Sequence, residues 1–337
     1  MNRMSYIDAL KGWTIFLMIL GHCIQFLNRD YNFLDNKVFS VIYSFHMPIF
    51  FFLSGIFFKN SLKQTTLKFL LKKFLQLILP CLVWVILFFL IKYFSHPNDD
   101  LISGLDFKIF YPSALPFWFL VELFKSYILM FFLFKLLKNQ TIIYILALII
   151  VFIISSASYQ RFLLPFFIIG IISKDNISYL EKNLKSILVI SGTLFFILLI
   201  FWKSVYTIYF TDFPPLFSIY TFKFSFVKYD IAIFRFVIGL VGCYFWFLLF
   251  KYLSSRNIFP TIMNWFTKIG RETLGIYILQ QCLFLKDFID FSSFNNWITT
   301  LIILPVLSLL IIVILYTIIK LISKNRIISL LLIGKEK

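Results

Sequence analysis

Stretches of about twenty apolar residues recur from one end of this chain to the other, each long enough to cross the hydrocarbon of a bilayer as a helix. Lipid offers the backbone no hydrogen bonds, so such segments must satisfy their own amides, and helices do this. Only 14% of the residues are charged, against about 25% in a soluble domain. Hydrophobic residues make up 61%, and the mean hydropathy is +0.93. The chain is therefore expected to be all-α, a polytopic membrane helical bundle. Residues 1–337 read as one transmembrane domain, with no appended soluble domain.

Ten transmembrane helices are expected, near residues 6–27, 38–58, 74–94, 115–137, 141–155, 162–173, 186–206, 230–253, 273–288 and 297–322. No small-residue cleavage site follows the first span, and it carries charge, so it reads as retained rather than as a signal peptide. Basic residues orient the bundle. With the N-terminus inside, twenty Lys and Arg fall on inner segments and nine on outer ones, which predicts both termini in the cytoplasm. The formal charge of +17 is spread over many loops, so topology explains it better than nucleic-acid binding does. Cys23, Cys81, Cys243 and Cys282 have no metal-ligand spacing and read as small buried hydrophobes. No metal is expected. Two outer loops, near 95–114 and 207–229, are longer than connection requires. They suit either an interfacial aromatic belt or a lid over an acceptor.

Ionisable groups inside apolar spans are costly and tend to face protein or water. The first span holds three. At about 100° per residue, Lys11, Ile15, Met18 and His22 share one stripe, with Asp8 on the same side. His22 lies roughly 16 Å along the axis from Lys11. An imidazole can accept a hydroxyl proton near neutral pH, so His22 is the candidate general base. A carboxylate could hold its tautomer, but Asp8 is about four turns away, and the sequence does not show the partner. Asp8 and Lys11 can pair across one turn, and Lys11 can also face an anionic donor.

Other spans add polar groups. His46 precedes Pro48, which frees backbone carbonyls that His46 can bind; alternatively it places an acceptor. Ser54-Gly55 permits close helix approach. Lys59, Lys63, Lys68, Lys72 and Lys73 form a basic cluster that suits anionic lipid or the phosphates of a nucleotide donor. Trp118, Glu122 and Arg235 sit at membrane depth, with Lys125 or Arg235 as a partner for Glu122. Tyr277 and Gln280 share a face of the ninth span.

The Lys11-to-His22 spacing, the Phe45-His46-Met47-Pro48…Ser54-Gly55 block, Trp118-Phe119-Leu120 and the Gly270–Tyr277 pattern together resemble the acyltransferase-3 family of integral-membrane O-acyltransferases. The resemblance implies an acyl-CoA donor, acetyl-CoA or another, entering from the cytoplasm. It implies a carbohydrate hydroxyl on a cell-surface or lipid-linked glycan as acceptor, and a bacterial inner-membrane location. His22, Asp8 and Lys11 would then be catalytic. Lys11, Lys72, Lys73 and Gln76 would bind the donor, and His46, Trp118, Glu122, Arg235, Tyr277 and Gln280 would line the cavity. Gln76 stands where the family has an arginine, which leaves Lys72 and Lys73 as its substitutes. Gln280 stands where the family has a histidine, which leaves His22 as the main base. A flippase for a lipid-linked sugar is the alternative function, and a non-catalytic scaffold a third. The oligomeric state is left open.

Overall fold

A computed structural model describes residues 4–26, 33–95, 117–153, 158–207, 217–218, 223–224, 228–282 and 298–335. It is helical throughout, apart from one antiparallel pair that joins Phe217–Ser218 to Lys223–Phe224. The helices are α1 (Ser5–Phe26), α2 (Lys37–Phe58), α3 (Thr66–Lys73), α4 (Leu79–Ser95), α5 (Trp118–Leu136), α6 (Gln140–Ile153) and α7 (Ser158–Asp175). There follow α8 (Ile177–Lys182), α9 (Leu184–Ile200), α10 (Tyr229–Ser255), α11 (Pro260–Gly270), α12 (Thr273–Cys282), α13 (Leu304–Ile322) and α14 (Arg326–Ile333). A helix occupies each of the ten stretches expected from hydropathy. Among the described residues, five helical segments are long and apolar enough to cross a membrane: Ser5–Phe26, Lys37–Lys63, Thr66–Leu90, Tyr229–Ser255 and Thr299–Ile322. The expected loop at 95–114, and most of that at 207–229, lie outside the described residues.

The seventh expected span, 186–206, is α-helical only to Ile200, and two other boundaries move charged residues. The third span starts at Thr66, not near 74, and passes through a π turn at Phe74–Ile78 into α4. Lys68, Lys72 and Lys73 are therefore on a helix, not in a loop. Arg161, expected in an outer loop, lies inside α7 with 3% exposure, because that helix begins at Ser158.

Phenylalanine fills the interior: Phe39, Phe45, Phe51, Phe52, Phe58, Phe69 and Phe131 are all essentially inaccessible. Apolar side chains such as Ile86, Val189, Ile190 and Ile314 are exposed, as a lipid-facing surface requires. Asn36 caps α2 by accepting from the Phe39 amide at 3.1 Å. Cys23, Cys81 and Cys243 are buried free thiols, as expected; the Cys282 side chain lies outside the described residues.

Two glycine contacts set the packing that matters for the site. A Cβ on Gly12 would stand 2.1 Å from the Phe266 carbonyl oxygen, and one on Gly270 would stand 1.7 Å from that of Asp8. Helices α1 and α11 thus cross backbone to backbone, which carries the next residue, Arg271, onto Asp8. Gly55 and Gly170 make the same kind of crossing between α2 and α7, each Cβ position falling 2.0 Å from a carbonyl oxygen of the other helix. The small residue of Ser54-Gly55 serves the close approach read from the sequence.

Candidate functional site

The site is built in tiers along α1, and its depth can be read from contacts between helices. Asp8 faces Arg271, Lys11 stands over Phe57, Gly21 packs on Tyr43, and His22 meets Gln280. Helix α2 therefore runs antiparallel to α1, and α12 runs parallel to it.

The first tier is a charged recess of about 300 Å³, lined by Lys72, Gln76, Arg271, Glu272, Leu274, Gly275, Ile333, Gly334 and Lys335. Glu272 is 6% exposed and sits among cations. Lys320 donates to it at 3.2 Å, and Lys335 donates to both its carboxylate oxygens at 2.8 Å. Arg271 Nε lies 3.7 Å from Asp8 Oδ2. Asp8, expected beside Lys11, is thus tied to Arg271 just ahead of α12. Gly334 has φ of +63°, and its Cα is so close to the Gln76 carbonyl that a Cβ would come within 2.1 Å. That carbonyl would ordinarily receive the amide of residue 80, and proline there has none to give.

The second tier is a cavity of about 330 Å³ that shares Gln76 and Leu274 with the recess. Five helical segments line it. Each contributes a group at the shallow end (Lys11, Phe57, Lys73, Tyr127, Thr273) and most add one deeper in (Ile15, Phe50, Phe119, Tyr277). The Lys73 ammonium lies 3.6 Å from the centroid of the Tyr127 ring, and that of Lys11 lies 5.1 Å from the Phe57 centroid. Local packing explains the first contact. Phe69 and Phe131 stack at 3.8 Å and 5° between α3 and α5, and Lys73 and Tyr127 each lie one turn on from that stack. The structure divides the neighbouring lysines, Lys72 lining the recess and Lys73 the cavity.

The third tier holds the histidines. His22 Nδ1 is 3.0 Å from Gln280 Oε1. A carboxamide oxygen only accepts, so Nδ1–H donates and the lone pair lies on Nε2. Gln280 is 2% exposed, and among the described residues its Nε2 has no hydrogen-bond partner. His46 Nδ1 donates to the Ile42 carbonyl at 2.8 Å. Pro48 frees a different carbonyl, that of Ser44, so His46 binds its own preceding turn, not the group freed by proline. His22 and His46 do not line the cavity; they begin one turn beyond its deep end, since Tyr277 precedes Gln280 by three residues and His46 precedes Phe50 by four.

A fourth group lies to the side. Lys125 donates to Glu122 Oε1 at 2.9 Å, which resolves the expected choice of partner in favour of Lys125. The Arg235 guanidinium packs 4.3 Å from the Phe162 ring centroid, and the Trp118 and Tyr159 rings lie 4.5 Å apart. Gln160 donates to the Glu122 carbonyl and to Ser126 Oγ, both at 3.1 Å. Among the described residues no cluster of three or more His, Cys, Asp or Glu could hold a metal ion.

Sequence reasoning did not single out Lys335, Glu272, Tyr127 or Gln160. Their roles come from contacts between helices far apart in the chain, which no local spacing encodes. An acidic residue at the start of an apolar span, Glu272, was the one available signal.

A family model described as an acyltransferase domain matches residues 4–317. The nodulation protein NolL of Sinorhizobium fredii is 30% identical over 204 residues, which are 56% of this chain and 55% of that protein. The nodulation protein NolL of Mesorhizobium japonicum is 34% identical over 94 residues, 27% of this chain and 25% of that protein. The chain thus matches about half or less of the length of these relatives. No solved structure matches it.

Proposed function

The chain belongs to the acyltransferase-3 family, and on that premise we propose that it moves a short acyl group from acyl-CoA to a carbohydrate hydroxyl on a cell-surface or lipid-linked glycan. It does so as a single domain of ten spans in a bacterial inner membrane, with both ends in the cytoplasm. The acyl-CoA donor enters from the lysine-rich side. Lys72 and Arg271 at the recess, with Lys11 and Lys73 behind them, meet its phosphates, which lysine binds as a point charge. The thioester arm runs into the cavity toward Tyr277. The acceptor approaches from the other side, where His46, Trp118, Glu122 and Arg235 shape its path.

His22 Nε2 takes the proton of the acceptor hydroxyl. The hydroxyl oxygen bonds the thioester carbonyl carbon, the carbon–sulfur bond breaks, and the departing thiolate takes up the proton as the free thiol. Gln280 holds Nδ1–H and so keeps the lone pair on the nitrogen that does this work. Asp8 acts at a distance, anchoring Arg271 at the mouth.

One observation carries the reading: a cavity with two lysines at its shallow end finishes one helical turn short of Gln280, which holds the tautomer of His22. The test is transfer of label from acetyl-CoA to a lipid-linked glycan by purified protein. Wild type is expected to label the glycan and His22→Ala to be inactive. Undiminished labelling by His22→Ala would overturn the assignment.

A further inference from the structure

The deep end of the cavity is a wall of rings. Phe119 forms its centre, with ring centroids 5.9 Å from Phe50, 5.3 Å from Phe51 and 5.6 Å from Tyr277. The Tyr277 hydroxyl is in turn hydrogen-bonded to the Phe119 backbone. Phe119 is 6% exposed, and Phe51 is fully buried behind it. Its ring is therefore held from three sides and from its own main chain. Interiors packed this tightly do not yield a methylene of space without cost.

Position gives the wall its meaning. The cavity lies on the lysine side of Phe119, and Gln280, the partner of His22, lies one turn past it. An acyl group delivered to His22 has its reacting carbon at this wall, and any further methylenes must go where the Phe119 ring already is.

The geometry points to Phe119 as the residue that sets acyl-chain length, restricting the donor to a short acyl group such as acetyl. The inference rests on the donor reading above and deepens it. Removing the ring leaves a hole that its locked neighbours cannot close, and apolar holes of this kind accept apolar guests. Each buried methylene of a longer chain then gains transfer free energy in place of a clash.

The experiment is titration calorimetry of detergent-purified protein with coenzyme A, acetyl-CoA, butyryl-CoA and hexanoyl-CoA as the probes. For wild type, affinity should fall by on the order of tenfold or more from acetyl- to hexanoyl-CoA. In Phe119→Ala the same ratio should fall to about one or invert, with Phe119→Leu intermediate. The leucine variant keeps most of the buried volume, so it carries the test if the alanine variant does not fold. A ratio identical in wild type and both variants overturns the assignment of Phe119, as does a wild type that binds all chain lengths equally. Failure of wild type to bind any of the four probes overturns the donor reading, and this inference with it.

Discussion

His22 Nδ1 and the side-chain oxygen of Gln280 lie 3.0 Å apart, although 258 positions separate them in the chain. The glutamine stands where the sequence resemblance implies a histidine. Here it is the group that orients His22.

Gln280→Ala is accordingly expected to lower kcat by on the order of 100-fold, because the imidazole loses the bond that fixes its tautomer. KM for acetyl-CoA should change little, since Gln280 does not line the donor cavity. Steady-state kinetics separate the two effects. A kcat within twofold of wild type would remove Gln280 from the mechanism.

Lys73→Ala should raise KM for acyl-CoA by roughly tenfold to a hundredfold, the value of a charged hydrogen bond to phosphate. Lys72 is exposed at the recess, so Lys72→Ala should have a smaller effect that fades with added salt. The comparison is made by measuring KM at low and high ionic strength. Equal effects of the two substitutions at both would contradict the placement of Lys73 in the cavity and Lys72 outside it.

Gly12→Ala and Gly270→Ala each push a methyl group into a backbone carbonyl of the crossing helix. Each should cost about 3 kcal/mol of stability, the upper end of ordinary overpacking. Gly275→Ala meets side chains rather than backbone, Ile319 at 3.0 Å and Ile333 Cβ at 3.5 Å, and these can give way, so its cost should stay under about 1 kcal/mol. Thermal unfolding in detergent reads the contrast. Similar melting temperatures for all three would mean that α1 and α11 do not cross as described.

Glu272→Ala should release the last helix. The carboxylate is buried, but Lys320 and Lys335 are half exposed and can return to water, so the loss is expected to be about 1–2 kcal/mol. The sharper readout is tryptic cleavage at Arg326, which should quicken in the variant. Cleavage at the wild-type rate would show that α14 is held by something else.

Hydropathy located the helices because lipid leaves the backbone so few choices, and the charges inside α1 marked the face that meets the cavity and the polar groups of α12. Lys11 and Ile15 do line the cavity. Met18 is buried and His22 belongs to the next tier, so the single stripe on the helix serves two compartments. Periodicity shows which residues share a face; it does not show what that face touches. The Arg271–Asp8 pair, the Lys335–Glu272 pair and the His22–Gln280 bond all join segments far apart in sequence. The choice between Lys72 and Lys73 depended on a helix starting eight residues early and on the Phe69–Phe131 stack, which apolar counting does not register.

Lys73 rests against a tyrosine ring, and among the described residues no carboxylate pairs with it. A quadrupole cradles a cation without cancelling it. An arriving anion can thus take hold of the ammonium without first displacing a counter-ion, and the ring stands ready to receive the lysine again when it leaves.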